Sequence, residues 1–178
     1  AFYGPKLDIH IKDSLGRVWQ CGTVQLDMNL PERFECKYVD ADGTKKTPIM
    51  LHRVVYGSVE RFIGILIEHF AGAFPSWIAP VQVKVVPVTE KHMNYARSVA
   101  DALSASNVRV EIEEGNDTLG YKIRKAQMEK VPYTLVVGDK EMNGHTVSVR
   151  SRKNGDEGSL PVAVFVSNLI REIRDRSY

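Results

Sequence analysis

The chain has 178 residues, 43% of them hydrophobic and 26% charged, and its formal net charge at pH 7 is +2. This length and composition suit one large or two small globular domains with a buried core, and so small a net charge is only weak support for a nucleic-acid partner. No apolar run is long enough to span a bilayer, so we expect no membrane partner. Cys21 and Cys36 form no C-x-x-C pair, which argues against a disulfide framework and favours reduced thiols in the cytoplasm.

The part of the chain up to residue 79 is predicted to form antiparallel strands and one helix. Apolar and polar residues alternate in the first strand, and a turn at residues 14–16 leads into the second. The step Asp42-Gly43 favours a tight hairpin turn between the third strand and the fourth. The predicted strands are 6–11, 18–26, 34–39 and 47–55.

An amphipathic helix is predicted to follow Gly57-Ser58 and to end near Gly72. Arg61 lies in its first turn, off the apolar stripe. An Arg at a strand-to-helix junction, just behind a Gly, is well placed to contact a phosphate or a base, although the same spacing also suits an ordinary core helix with a solvated Arg. The stripe recurs every three or four residues and consists of Val59, Phe62, Ile63, Leu66, Ile67 and Phe70.

From residue 80 onward, strands and helices alternate in the order βαβαββα. Such an alternation predicts a mostly parallel sheet with helices on both faces. Ser159 suits the cap of the last helix, and Pro161 suits its first turn. The predicted strands are 81–86, 108–112, 133–137 and 146–149, and the predicted helices are 91–105, 119–130 and 159–175.

Several blocks of this sequence resemble a known family. The stretch from Gly57 to Phe62, Gly-Ser-x-Glu-Arg-Phe, is similar to motif 3 of the class II aminoacyl-tRNA synthetases. Four further blocks resemble the threonyl-tRNA synthetases, and the similarity extends over essentially the whole chain. A prolyl or glycyl relative is the weaker alternative, and the second block and His52 argue against it. The four blocks are Tyr3–Lys6, Trp19–Asp27, Leu30–Arg33 and Ala73–Gln82.

The resemblance implies an α/β piece of a longer enzyme with two domains. Residues 1–79 would be the C-terminal portion of a class II catalytic domain, with an antiparallel sheet plus a helix. Residues 80–178 would be an anticodon-binding domain, βαβαββα with a mostly parallel mixed sheet, of the kind that the threonyl, prolyl, glycyl and histidyl synthetases share.

The resemblance also implies a reaction. The parent enzyme, a homodimer, would activate threonine with ATP and Mg²⁺ and transfer it to tRNA(Thr). Motifs 1 and 2 lie outside this chain, so we expect the chain alone to be inactive as a ligase. The alternative is a stand-alone tRNA-binding fragment without ligase activity.

Six residues correspond to active-site positions of the family. Arg61 matches the motif 3 arginine, which would stabilise phosphate charge and stack on adenine. Strand alternation puts Gln20 and Thr23 on opposite faces, so these assignments depend on the resemblance, and polar strand faces remain the alternative. By the same resemblance Ser58, Gln20 and Thr23 would contact the nucleotide or adenylate, and Tyr3 and Gln25 would line the threonine pocket.

His52 matches one of three zinc ligands of the family, a Cys and two His. Zinc with an open coordination position can bind both the amino and the hydroxyl group of threonine, and valine lacks the second group. The other two ligands lie outside this chain, and a single imidazole does not hold zinc tightly. Without the resemblance, a lone His on a strand is more often structural.

Asn116, Glu141 and Arg150 match anticodon contacts of the family. A carboxylate can accept from the N1–H and N2–H groups of guanine, and Arg can donate to O6 and N7, so Glu141 and Arg150 suit the middle guanine of a threonine anticodon. The alternatives are a turn residue at Glu141 and a strand-end charge at Arg150. Further cations could follow the phosphate backbone: Lys122, Arg124, Lys125, Lys130, Arg152 and Lys153.

Overall fold

The computed structural model describes residues 3–177 and divides the chain into two compact units, residues 1–70 and 71–178. The expected domain boundary after residue 79 stays a prediction. The second unit begins earlier because its side chains bind the backbone of residues 71–79. Arg152 Nη2 donates to the Phe74 carbonyl at 2.8 Å, and Gln82 Nε2 donates to the Ser76 carbonyl at 2.7 Å.

The first unit is built on a three-stranded antiparallel sheet in the order β1-β2-β5. A two-stranded hairpin, β3-β4, and two helices complete it. In chain order the elements are β1 (Lys6–Lys12), β2 (Val18–Asp27), α1 (Leu30–Arg33), β3 (Tyr38–Val39), β4 (Lys45–Lys46), β5 (Met50–Val54) and α2 (Val59–His69).

The third predicted strand is much shorter in the structure, because part of its sequence follows a helix. Pro31 lies in the first turn of α1, where its fixed φ favours a helix. Asp27 Oδ1 accepts from the backbone N–H groups of Asn29 and Leu30, both at 2.9 Å, and so holds the chain at the helix start. Phe34 ends this helix, and only Tyr38–Val39 pairs as a strand.

A β-bulge in the first sheet changes which side chains share a face. Ile9 pairs with Gly22, and the next residue, His10, pairs with Gln20, so Cys21 is an extra residue on β2. The bulge shifts the alternation of β2 by one position. The prediction that Gln20 and Thr23 lie on opposite faces is therefore wrong.

The amphipathic helix predicted after Gly57-Ser58 is confirmed as α2. Ser58 is its N-cap, and its Oγ accepts from the Arg61 N–H at 3.4 Å. Ile65 is the buried residue of α2, whereas Ile63 and Ile67 on the predicted stripe are about half exposed.

The second unit has a five-stranded sheet in the order β10-β9-β8-β6-β7. The pairs β6–β7 and β6–β8 are parallel, and β8–β9 and β9–β10 are antiparallel. The predicted mixed α/β fold is thus confirmed. The elements are β6 (Val83–Pro87), a 3₁₀ turn (Glu90–His92), α3 (Met93–Ala105), β7 (Val110–Ile112), α4 (Leu119–Met128), β8 (Tyr133–Val137), α5 (Asp139–Gly144), β9 (Thr146–Ser151), β10 (Gly155–Pro161) and α6 (Val162–Asp175).

Two of these elements, α5 and β10, are absent from the predicted order. Neither carries an apolar stripe: the six residues of α5 include no buried one, and β10 is largely exposed. Pairing with β9 extends β10 to Pro161, so Ser159 belongs to a strand and the last helix starts at Val162.

Helices cover both faces of the second sheet, as predicted. On one face, α3 and α6 pack on the strands to form the core. On the other face α4 packs against β6 and buries Ala126. The core consists of Val83, Val85, Ala96, Val99, Ala100, Leu103, Val108, Leu135, Val137, Val147, Val149, Phe165 and Leu169.

Candidate functional site

One face of the first sheet is lined with polar side chains. Residues paired across antiparallel strands share a face, and because of the bulge this face includes Gln20, Thr23 and Gln25 from the central strand. We call it the polar face. Its rows are Lys6–Gln25–His52, Asp8–Thr23–Val54 and His10–Gln20.

Asp8 organises one end of the polar face. Gln20 Nε2 donates to Asp8 Oδ1 at 2.6 Å, and Lys6 Nζ lies 3.1 Å from the same oxygen. Burial would raise the pKa of Asp8, but hydrogen bonding to Lys6 and Thr23 outweighs it and lowers the pKa. The amide of Gln20 is therefore held by a charged carboxylate.

Two atoms in the middle of the polar face have unmet hydrogen-bonding capacity. Among the described residues, Thr23 Oγ1 and Gln25 Nε2 are the buried side-chain atoms without a hydrogen-bond partner. Because Thr23 also contributes to the low pKa of Asp8, Gln25 Nε2 is the clearer case. Leaving a buried donor unpaired costs roughly 1–3 kcal/mol, so the polar atoms of a ligand are expected here.

His52 is oriented by a buried carboxylate. Its Nε2 lies 2.9 Å from Asp27 Oδ2, and Asp27 is fully buried. The backbone N–H of Leu30, and then the His52 ring, lower the pKa of Asp27 against the effect of burial. A charged Asp27 favours the proton on Nε2, which leaves Nδ1 with a lone pair in the arrangement that metal-binding histidines share.

The described residues do not form a metal site by themselves. They contain no cluster of three His, Cys, Asp or Glu side chains that could hold a metal ion. His52, oriented by Asp27, is a single candidate metal ligand in the described part of the chain.

Arg61, Ser58 and Tyr3 come from segments outside the paired rows of the polar face. The exposed Arg61 guanidinium is 5.9 Å from the centre of the Trp19 ring, and no carboxylate in the described part of the chain pairs with it. Ser58 Oγ also donates to Glu60 Oε2 at 3.0 Å, so its cap role is structural. Tyr3 precedes β1, and its carbonyl accepts from the Met28 N–H at 3.1 Å.

Asp8 and Asp27 are functional candidates that the sequence did not single out. Asp27 falls two positions after Gln25, so alternation alone places both on one face. Its partner His52, however, is 25 positions away, and only the pairing of β2 with β5 brings the two together.

The carboxyl edge of the second sheet gathers two of the predicted anticodon residues. Since β6, β7 and β8 are parallel, the loops that follow them meet at one edge. Asn116 is exposed in the loop after β7 and lines a cavity of about 230 Å³ with Thr89, Glu90 and Arg97. Glu141 lies in α5, directly after β8.

Glu141 closes the first turn of α5. Its Oε2 accepts from the Gly138 N–H at 2.9 Å. A side chain at position 138 would place its Cβ 3.2 Å from this oxygen and 3.2 Å from Val88 Cγ2, so Gly is favoured there. The other Glu141 oxygen accepts no hydrogen bond from the residues that the structure describes, and it remains available to a ligand.

Arg150 lies on the sheet face next to this edge, not on the edge itself. It pairs with Thr134, three residues before the end of β8, which is about 10 Å along the strand. Its Nη2 donates to Asp156 Oδ2 at 2.7 Å. One row of side chains crosses all five strands here: Glu111, Lys84, Thr134, Arg150 and Asp156.

Most of the other predicted phosphate-binding cations are already engaged. Lys122 is buried and donates to the backbone carbonyl at the end of β6 at 3.2 Å, so the prediction is wrong for this residue. Lys125 pairs with Glu113 at 2.9 Å, and Arg152 binds backbone carbonyls. Arg124 is exposed and stays a candidate.

Comparison with known proteins identifies both units. Residues 1–70 match the tRNA synthetase class II core domain (G, H, P, S and T), and residues 82–175 match the anticodon binding domain. A threonine–tRNA ligase of Caldanaerobacter subterraneus subsp. tengcongensis is 58% identical over 177 residues, 99% of this chain and 28% of that protein. The ligase of Clostridium tetani is 57% identical over 176 residues, with the same coverage. The chain belongs to the threonyl-tRNA synthetase family.

Solved structures agree with this family. The RNA binding domain of threonyl-tRNA synthetase from Cryptosporidium parvum Iowa II superposes with a TM-score of 0.78 at 37% identity, over 95% of this chain and 43% of that one. Prolyl-tRNA synthetase from Cryptosporidium parvum gives a TM-score of 0.72 at 24% identity, over 98% of this chain and 38% of that one, which supports the fold alone.

This member of the threonyl-tRNA synthetase family spans about 28% of the length of its curated relatives. None of the helices in residues 3–177 combines the length and the hydropathy needed to cross a membrane.

Proposed function

We propose that the chain is the C-terminal part of a threonine–tRNA ligase, which activates threonine with ATP and transfers it to tRNA(Thr) in the cytoplasm as a homodimer. The observation that carries this proposal is the polar face, where Gln20, Thr23, Gln25 and His52 line one side of one sheet. The resemblance assigns these four residues to adenylate, threonine and zinc, and the bulge at Cys21 is what gives them a common face.

For the activation step, the chain's contribution is positioning and charge. The threonine carboxylate attacks the α-phosphorus of ATP, bound with Mg²⁺, so that threonyl-adenylate forms and pyrophosphate leaves, and little covalent help is needed. Gln25 offers an unpaired polar atom to the substrate, and Thr23 lies beside it on the same face. Arg61 offers a guanidinium without a carboxylate partner in the described residues, which suits phosphate contact and stacking on adenine.

His52 would hold zinc through Nδ1, with Asp27 as its orienting carboxylate. When bound, the ion would bind the amino and hydroxyl groups of threonine and so exclude valine. Two further ligands must come from outside this chain. Tyr3, at the start of β1, would complete the threonine pocket.

The second unit would recognise the threonine anticodon. Single-stranded RNA is read through splayed bases and hydrogen bonds to their edges. The free oxygen of Glu141 and the remaining donors of Arg150 suit the edges of the middle guanine, and Asn116 lines a cavity of about 230 Å³ at the same sheet edge.

An RNA-binding experiment tests this assignment. Glu141→Ala and Arg150→Ala should each weaken binding of a threonine anticodon stem-loop by roughly tenfold, since a good base contact is worth about 1–3 kcal/mol. Arg171→Ala, an exposed cation on α6, is the matched control and should bind as the unchanged chain does. Equal affinity of the unchanged chain for the cognate loop and for one with a changed middle base would contradict the proposal.

A second function, a stand-alone tRNA-binding fragment, is favoured by one specific observation. The second unit carries its own continuous apolar core, so it can present its RNA-binding edge without the rest of an enzyme. Threonine-dependent ATP–pyrophosphate exchange separates the two functions. The 178-residue chain should show none, whereas the full-length protein should show exchange if the ligase proposal holds.

A further inference from the structure

The short helix α5, which carries Glu141, has little apolar packing to hold it in place. It has six residues, all of them described, and none is buried. A helix of this length is not stable by itself in water. Polar contacts near its ends therefore contribute to its position.

His92 holds the first residue of α5. It is 1% exposed, and its Nδ1 accepts from the Thr89 N–H at 3.2 Å. Because a backbone N–H can only donate, the neutral ring carries its proton on Nε2. That proton is donated to Asp139 Oδ1 at 3.3 Å. Lys91 Nζ lies 2.9 Å from the same oxygen.

Tyr95, one turn later on the same helical face, fixes the chain just beyond α5, at the first residue of β9. Its hydroxyl donates to the carbonyl of Thr146, two residues after α5, at 2.7 Å. Burial and then the charge of Glu141 raise the pKa of Tyr95, so the phenol remains a donor and lies within electrostatic range of Glu141.

We propose that His92 and Tyr95 are positioning residues that hold α5 from both ends, so that the free carboxylate oxygen of Glu141 faces the N2 amino group of a bound guanine. This inference rests on the proposed anticodon recognition. We call the pair the brace. It joins the segment after β6 to the segment after β8 at the carboxyl edge, where the backbone already contributes a bond from the Val88 N–H to the Val137 carbonyl at 3.0 Å.

Two substitutions remove the brace without removing the surrounding structure. His92→Asn keeps an acceptor near the Thr89 N–H but is too short to reach Asp139. Tyr95→Phe keeps the ring and loses only the hydroxyl. Ser98→Ala is the matched control, because Ser98 lies on the next turn of α3 and its Oγ donates to the Tyr95 carbonyl, not to α5.

The experiment compares two anticodon stem-loops that differ at the middle base, guanosine in one and inosine, which lacks the N2 amino group, in the other. The 178-residue chain should bind the guanosine loop roughly tenfold more tightly, as expected for a hydrogen bond to a charged group. Each brace variant should reduce this ratio to less than about threefold, and Ser98→Ala should keep it. In a Glu141→Ala background neither variant should reduce the ratio further, since the brace acts through Glu141.

Hydrogen exchange gives a readout that needs no RNA. The amides of α5 should exchange faster in His92→Asn and Tyr95→Phe, while those of β6 and β8 stay protected. Unchanged α5 exchange, or a full guanosine-to-inosine ratio in both variants, would overturn the brace and leave anticodon recognition standing. A chain that does not distinguish the two loops at all would overturn the N2 contact and the brace with it, whereas anticodon recognition itself fails only if a loop with a changed middle base also binds equally well.

Discussion

The two units differ most in how they cover their apolar side chains. Among the described residues, the first unit buries only Cys21, Pro31 and Ile65 of this class, and side chains such as Leu7 and Leu51 are 63% and 60% exposed. In the second unit Leu135 is fully buried. It belongs to a core that includes residues from β6 to α6.

The two units therefore support their candidate sites in different ways. Leu7 and Leu51 lie on the face of the first sheet opposite to the polar face, because each alternates with a polar-face residue. Leu7 and Leu51 on that face are largely exposed, so the first sheet presents functional groups above a thinly covered apolar face. The second unit combines a complete core with the edge that we propose for RNA.

The largest effect is expected when a side chain in the core of the second unit is truncated. Leu135→Ala should lower the free energy of unfolding of this unit by about 2–5 kcal/mol, because it leaves a cavity among tightly packed neighbours. Leu51→Ala, the same change on the exposed face of the first unit, should cost less than about 1 kcal/mol. Chemical unfolding, followed by Trp77 fluorescence in a Trp19→Phe background, measures the first change, and circular dichroism measures the second. Equal losses would remove the contrast between the units.

The next effect concerns the site that the first unit leaves incomplete. In the full-length protein, Asp27→Asn should weaken zinc binding by about 10–100-fold, because the carboxylate that orients His52 is lost. Asp8→Asn, on the same face but bonded to Gln20, is the matched control. Competition with a chelator measures the affinity. Tight zinc binding by the 178-residue chain alone would show that one imidazole is not its whole contribution.

Regular elements with an apolar stripe could be predicted from the sequence, and elements without one could not. The spacing from Val59 to Phe70 gave α2 because half of that stripe is at least partly buried. The helix α5 and the strand β10 have no such pattern. Tertiary hydrogen bonds hold α5, and pairing with β9 holds β10.

The candidate sites show the same division. Motif resemblance selected Gln20, Thr23 and His52, but residue counting put the first two on opposite faces, because a bulge depends on the partner strand. The burial of Lys122 could not be predicted either, because the sequence alone does not distinguish this cation from the exposed Arg124. Resemblance finds the residues, and strand pairing decides which of them share a surface.

The smallest effect, and the one that compares the units directly, is acid sensitivity. Burial would raise the pKa of Asp13, but hydrogen bonds from Trp19 and Arg17 outweigh it and lower the pKa from 3.8 to about 2. A carboxyl group with a lowered folded-state pKa stabilises the fold above its unfolded pKa, and this contribution is lost as the pH falls through the folded value. The first unit also holds Asp8 and Asp27 with lowered pKa values.

The first unit should therefore lose stability more steeply than the second between pH 3.8 and about pH 2. Trp19 donates to Asp13 Oδ2 at 2.8 Å, so its fluorescence in a Trp77→Phe background reports this region directly. Asp13→Asn should flatten the acid transition of the first unit and leave that of the second, followed through Trp77 in a Trp19→Phe chain, unchanged. The second unit also has two carboxyl groups with lowered pKa values, Glu113 and Asp139. Coincident transitions at both tryptophans would mean that the two units unfold together in acid, and that the buried core of one stabilises the exposed sheet of the other.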